Sequence, residues 1–461
     1  VAQIRAISRA DENDLPPGLA ELRNKPGNPV NAVRAAVAAP GKPTLESLAN
    51  AEAKACAAAL ARIHLPQATL PTLEQKSPIA KLPTKTGLLT FTSVGNRVYA
   101  TLAAKGKVVM WTIAGSNRLP TEIAKVLKGI GVGKTRGERI PQDEAWKNDA
   151  VALRRHLLPD DATITTEKFD ELIIVPDGPL WYLPFELLPL LEADSPLIGD
   201  TIKIRYVATP GLALKPITAA APNKRIGIAT GKFFSPRDPE LNKQIVDSIV
   251  DVLNDPLRLP DANNTPTALL GHEMGHLVVA APQTPNTENF LFTTMAPYEQ
   301  QSPMGNLAAW LRFPAKVPSN VVLAGFRTPL GVGRMGNGNE IFNTLCALNA
   351  SGVRSILISR WAVGGESTAI ALREFLQELP FTGMNAAWTR AKLILRGTEL
   401  DPVREPLLIQ AEHGREGLTG NQPLFWSGYL VSSPDAQPIS APPAANPPPA
   451  ANPPPAAAAQ N

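Results

Sequence analysis

The sequence predicts an α/β protein: an open, mainly parallel sheet with helices on both faces, preceded by an N-terminal helical region. Three observations carry that expectation. Short, wholly apolar runs such as Leu172–Val175 lack polar alternation, as strands covered on both faces should. Stretches with helical character separate these runs, and such alternation builds open α/β sheets. The first 82 residues, by contrast, are rich in Ala, Leu, Lys and Glu, which are mostly good helix formers.

Taken in order, residues 1–82 are punctuated by "DLPPG", "NKPGNP" and "APGKPT". Within them "TLESLANAEAKACAAALARI" (44–63) reads as one strong helix, capped by Thr44 and with its apolar periodicity beginning at Glu46 and Leu48. "GLLTFTSVGNRVYATLAAKGKVVMWTI" (87–113) reads as antiparallel strands joined by Gly-Asn and Lys-Gly turns. Helices follow at 119–130 and 143–158. Apolar strands are expected at 172–175, 224–230, 276–282, 319–326 and 354–361, with helices at 238–253, 340–350 and 366–379. The last stretch, 435–461, repeats Ala-Asn-Pro-Pro-Pro and lacks the apolar content to fold, so a disordered tail of polyproline character is expected. Three parts result: a helical region (1–82), an α/β domain (87–434) and the tail (435–461).

Composition removes several classes of function. Charged residues make up 19% and hydrophobic ones 44%, the profile of a soluble globular chain. Basic residues exceed acidic ones by only four, 45 against 41, with no basic block interleaved with aromatics, so no nucleic-acid partner is expected. No apolar run reaches the length of a membrane span. Cys56 and Cys346 lie far apart and fit reduced thiols, which points to a cytoplasmic setting. The chain opens on Val1, as a processed form or a fragment would.

Two motifs invite a function and then fail on context. "KGIGVGKTRG" (128–137) contains Gly133-Lys134-Thr135, but Lys128 stands where a P-loop needs its first glycine, and the run follows a helix rather than a strand. His272-Glu273-Met274-Gly275-His276 fits the zinc-hydrolase pattern H-E-x-x-H, whose two histidines must share one face of a continuous helix. Gly275 is suited to end a helix, Val278 and Val279 favour a strand, and Pro282 bars further helix. The expected arrangement is a helix ending near His272 and a buried strand beginning at His276. No metal or other cofactor is expected.

"ELIIVPDGPLWYLPFELL" resembles the CHAT domain, a caspase- and separase-related peptidase family often found after TPR helices. The similarity runs in order through "GNRVYATLAAKGKVVMW", "YVATPGLAL" (206–214) and "GNGNEIFNTLCALNASGVRSILISRWAVGGESTAIALREFLQEL" (336–379), and ends at "QPLFWSGYLVSS" (422–433). It implies a caspase-like sheet and a cysteine–histidine dyad at adjacent strand ends, in which the histidine deprotonates the thiol that attacks a peptide carbonyl. The family's histidine strand ends in a pattern like His-Leu-Ala-Thr-His-Gly; here it reads His276-Leu277-Val278-Val279-Ala280-Ala281. The cysteine strand ends like Leu-Ser-Ala-Cys-Glu-Thr-Gly; here it reads Leu323-Ala324-Gly325-Phe326-Arg327-Thr328-Pro329. The resemblance therefore places Ala280 and Phe326 at the two dyad positions, and neither side chain can do acid–base or nucleophilic work.

The expected function is that of a non-catalytic module, a pseudoprotease that binds or scaffolds protein partners, with a TPR or other helical region upstream. His276, Arg327 and Trp361 are the candidates for lining its cleft. The alternatives are a zinc hydrolase built on residues 272–276 or a peptidase with a relocated nucleophile.

Overall fold

The computed structural model describes residues 82–434 except 134–139, 142, 159–168, 215–222, 232, 235–237, 260–272, 284–316, 327–335, 362 and 406–417. The helix expected at 44–63, the helical region before residue 82 and the tail from 435 lie outside the described residues.

The chain opens with three antiparallel strands, β1 (Thr86–Val94), β2 (Arg97–Ala104) and β3 (Lys107–Ile113). Val94 pairs with Arg97 and Ala104 with Lys107, so both loops are two residues long. In the second, Lys105 and Gly106 both take positive φ (48° and 75°), the conformation that matches the twist of a tight hairpin. Helices α1 (Leu119–Gly129) and α2 (Trp146–Leu157) follow, and the Trp111 indole donates to the Leu157 carbonyl at 2.9 Å, tying β3 to the end of α2.

The remaining strands are β4 (Glu171–Val175), β5 (Lys203–Tyr206), β6 (Ile226–Thr230), β7 (Leu257–Leu259), β8 (His276–Gln283), β9 (Asn320–Phe326), β10 (Ser355–Ser359) and β13 (Tyr429–Ser432), with the small pair β11 (Glu399–Leu400) and β12 (Leu418–Thr419) apart. The longer helices between these strands are α3 (Pro239–Val250), α4 (Asn339–Ala350), α5 (Gly365–Glu378) and α6 (Met384–Arg396). Together they form one eleven-stranded sheet in the order β3-β2-β1-β4-β5-β13-β10-β9-β8-β6-β7. Alternate residues of the strands divide between the two faces: Leu89, Leu172 and Ile174 join the main core, while Leu88, Ile173 and Val175 form a second cluster with Ala103 and Val207. Cover on both faces is why the β4 run is apolar throughout.

Apart from the antiparallel β2 and β3 at one end, the sheet consists of two parallel blocks of opposite direction. β1, β4, β5 and β13 run one way; β10, β9, β8, β6 and β7 run the other; they meet at the antiparallel pair β10–β13. A buried ionic group spans this seam. Arg360, fully buried just after β10, donates through Nη1 to Glu186 Oε1 (3.3 Å) and to the carbonyls of Ser427 (2.9 Å) and Tyr429 (2.8 Å). Its guanidinium also lies 4.8 Å from the centre of the Tyr206 ring. The Tyr206 hydroxyl donates to the other Glu186 oxygen (2.5 Å) and accepts from Phe185 N–H (3.0 Å). Burial, then the neighbouring Glu186 charge, raises the Tyr206 phenol well above its ordinary pKa, so it stays a donor. Nearby, buried Arg205 chelates Glu171 (3.0 and 3.2 Å) and holds the Ser433 and Pro434 carbonyls at the end of β13.

A second buried carboxyl, Glu405, caps the start of α5. It accepts from Ser367 N–H (2.6 Å) and bonds Ser367 Oγ (3.1 Å), and burial pushes its pKa up to about 8.

Two stability predictions follow from these groups. Arg360→Ala leaves Glu186 buried without its cation and should lower the urea-measured unfolding free energy by ~3–5 kcal/mol; a change below ~1 kcal/mol would show that the seam does not depend on it. For Glu405, the folded protein holds a proton that the unfolded chain has lost, so its contribution is complete at acidic pH and disappears as pH rises through about 8. One such group changes stability by at most ~1.4 kcal/mol per pH unit. Stability should therefore decline from about pH 4.5 to about 8 in the wild type, levelling off above that, and decline less in Glu405→Gln; parallel pH profiles for the two proteins would contradict this.

Candidate functional site

In open α/β sheets ligands sit beyond the C-terminal ends of the strands, where the strand order reverses. Here the chain places β7 outside β6 and then returns on the other side with β8, so the reversal falls between β6 and β8. The neighbouring ends are Thr230, Gln283, Phe326 and Ser359.

Ala280 is buried on β8, level with Thr230 of β6, and its carbonyl accepts from Gly231 N–H at 3.1 Å. It is not the last residue of its strand. β8 continues through Ala281 and Pro282 to Gln283, and it is Gln283 whose Cα is in register with Phe326. The register shifts between Val279 and Pro282. At that irregularity β9 approaches so closely that a Cβ on Gly325 would lie 2.1 Å from the Ala281 carbonyl oxygen; only glycine fits. Pro282 was expected to close the strand, but an irregular position tolerates its missing N–H, so the strand runs one residue further.

Phe326 is fully buried, and its carbonyl accepts a hydrogen bond from the Ser359 hydroxyl of β10. Phe233 reaches over the same strand end, its ring edge 3.0 Å from the Gly325 Cβ position. The Asn242 side chain at the start of α3 holds that turn in place. Its oxygen accepts from the N–H groups of Phe233 (3.2 Å) and Phe234 (3.0 Å), and its nitrogen donates to the Gly231 carbonyl (3.2 Å). Gln283 is fully buried, and both ends of its amide lack a partner among the described residues. Trp361, two residues beyond β10, is 5% exposed and packs its indole against Gly428; its N–H likewise has no partner among the described residues.

Sequence reasoning singled out Ala280, Phe326 and Trp361, and the structure sets them at or near the ends of β8, β9 and β10. It missed Gln283 and Phe233, both carried by loops or irregular backbone that periodicity does not resolve. Arg327 lies outside the described residues. His276 opens β8, seven residues before Gln283, roughly 23 Å away along the strand at ~3.3 Å per residue. There Asn320 Nδ2 lies 2.9 Å from its Nδ1, and burial pushes its pKa down to about 4, so it is a neutral core histidine at the far end from the site.

His276 also bears on the zinc pattern. Glu273 is exposed and, with Met274 and Gly275, non-helical, while His276 lies in a strand. The shared helical face that H-E-x-x-H chemistry needs is not present over 273–276; His272 lies outside the described residues. Cys346 is half-buried on α4, and burial raises its thiol pKa, the reverse of what a nucleophilic cysteine needs. Among the described residues the strand ends thus hold a buried amide and a buried indole N–H without partners, packed among phenyl rings.

Comparison with known proteins bears on family and fold. No curated protein sequence matches the chain. Among solved structures, two crystal structures of the Saccharomyces cerevisiae separase–securin complex resemble it with TM-scores of 0.42 and 0.40 at 9% and 8% identity. Each similarity covers 77% of this chain and 30% of the other, so the chain spans under a third of the length it is matched to. The sequence model of the CHAT domain matches residues 147–435, well over half of the chain. The protein belongs to the CHAT domain family, a family related to cysteine peptidases.

Proposed function

We propose that this chain is a non-catalytic member of its family, a pseudoprotease whose α/β domain, bounded near residues 87 and 434, binds or scaffolds protein partners. One observation carries the reading: a fully buried phenylalanine, Phe326, stands at the strand-end position where the family pattern has its nucleophile. Around it Phe233, Gly325 and the Ser359–Phe326 hydrogen bond close the space that an attacked carbonyl would need. Ala280, at the corresponding histidine position, supplies no base. The Gln283 amide and the Trp361 indole N–H, buried without partners among the described residues, are the groups that a bound peptide segment would satisfy, with Arg327 as a further contact of the cleft. An upstream TPR or helical region and a cytoplasmic setting belong to the same reading.

Two experiments test it. Purified protein incubated with casein or a mixed peptide library should yield no cleavage, with or without added zinc. Cleavage that is lost on mutation within residues 87–434 would overturn the proposal. Phe326→Ala should also lower the unfolding free energy by ~3–5 kcal/mol, the cost of emptying a packed aromatic site. An unchanged midpoint in urea would mean that the ring fills no structural space.

A further inference from the structure

We propose that Lys392 is a reactive amine that accepts an acyl group from a thioester, a modification site independent of the strand-end cleft. Lys392 lies on α6, one turn after the buried Trp388 and one turn before Arg396. It is half-buried, and its Nζ stands 5.8 Å from the centre of the Trp426 ring, just before β13. The Arg396 guanidinium lies over the same ring at 4.9 Å. Two cations on successive turns of one helix thus share a single indole.

The surrounding charges leave this lysine without an anion. Those that act on it are Glu186, Asp200, Arg396 and Arg360. Both carboxylates are already held: Glu186 accepts from Arg360 (3.3 Å) and the Tyr206 hydroxyl (2.5 Å), and Asp200 accepts from Arg396 (2.7 Å). Two arginines match two carboxylates, so Lys392 is the surplus cation, and no hydrogen bond holds its Nζ among the described residues. Other lysines are placed differently. Lys85, Lys147 and Lys243 each meet a carboxylate, at 3.4, 2.7 and 3.3 Å, while Lys224, over the Phe381 ring at 4.8 Å, is exposed to water.

A half-buried ammonium beside like charges releases its proton more readily than one in water, and the neutral amine is a nucleophile. Burial, opposed by Glu186 and reinforced by Arg396 and Arg360, accordingly holds Lys392 below the ordinary lysine pKa. In the transfer the Nζ lone pair attacks the thioester carbonyl, the C–N bond forms, the C–S bond breaks, and one amine proton passes to the departing thiolate. The product is an uncharged amide, which leaves the two arginines balanced by the two carboxylates. An aldehyde fits less well, because the imine nitrogen it forms can take the proton back and restore the surplus charge. The charge balance thus selects an acyl donor.

The test incubates the whole chain at pH 7.5 with the neutral thioester S-acetyl-N-acetylcysteamine. Remaining amines are then blocked, after denaturation, with deuterated acetic anhydride, and the light-to-heavy ratio at each lysine is read by mass spectrometry. Lys392 should carry at least ~5-fold more light acetyl than Lys85, Lys224 or Lys243, and its lead should shrink at pH 10, where exposed amines also lose their protons. Arg396→Gln removes a neighbouring cation and frees Asp200 to hold Lys392 as an ammonium. It should cut the labelling of Lys392 by ~3-fold or more with an unchanged circular dichroism spectrum. Labelling of Lys392 no faster than that of the other lysines, or a rate indifferent to Arg396→Gln, would overturn the proposal. Selective protection of a slowly labelled Lys392 by sulfate would do the same, since the surplus charge would then serve an anion. None of these outcomes touches the proteolysis assay, so this inference and the pseudoprotease reading can fail separately.

Discussion

The fold depends on the buried Arg360–Glu186–Tyr206 group. Two parallel blocks running in opposite directions meet along only four residue pairs between β10 and β13, a short ladder for an eleven-stranded sheet. Arg360 adds ties that the ladder alone does not give. One guanidinium nitrogen contacts Glu186 from the turns after β4 and two carbonyls from the approach to β13, while the guanidinium plane faces Tyr206 at the end of β5. A buried cation is costly to desolvate and is tolerated only where its geometry and hydrogen bonds compensate it. Its removal is correspondingly severe, because the carboxylate and carbonyls gathered around it would be left facing one another.

The same segment links this seam to the candidate site. Ser359, Arg360 and Trp361 are consecutive: the first holds the Phe326 carbonyl, the second locks the two blocks, and the third packs on Gly428 next to β13. A displacement at the seam must therefore reach the end of β9. The opposite direction of the blocks also separates their strand ends. The C-terminal ends of β4 and β5 lie at the other margin of the sheet, where Asp177 accepts from Ser93 N–H at 2.5 Å and the chain then crosses back as the turn carrying Phe185 and Glu186. One block thus supplies a clamp, and the other retains the order reversal between β6 and β8 at which α/β sheets bind ligands.

Much of this arrangement is legible in the amino-acid sequence, and what is not has identifiable causes. The apolar runs at 172–175, 276–282 and 319–326 mark strands because burial on both faces forbids polar alternation, and the Lys105-Gly106 hairpin follows from the positive φ its turn requires. β5 and β7, "KIRY" and "LRL", escape notice because they are short and alternate charge with aliphatic residues. Periodicity reports which faces are buried but not which strand lies beside which, so the antiparallel seam at β10–β13 is invisible in it. The ionic group is hidden for a related reason: Glu186 and Arg360 sit in the apolar contexts "PFELL" and "ISRWA" as apparent element boundaries, and only tertiary contact reveals them as partners. At the site, Phe326 is found by aligning a family pattern, whereas Gln283 depends on a register shift set by Gly325 and Pro282, and a backbone irregularity of that kind leaves no periodic trace.

What stands at position 326 decides how the end of β9 is packed. A small residue at position 326 would leave a cavity, which proteins rarely maintain because its lining forfeits dispersion contacts on one side. Phenylalanine fills it, and the cost of such a bulky ring near a crowded strand end is met by removing volume elsewhere. Gly325 lets β8 come within contact of β9, and alanines stand at 280 and 281 on the facing strand. Ala280, Ala281, Gly325 and Phe326 thus belong to one packing arrangement. A histidine at 280 or a cysteine at 326 would exchange a filled apolar strand end for polar groups, where burial raises a thiol's pKa and keeps an imidazole neutral. The packing that stabilises the strand ends therefore also disfavours ionised side chains there.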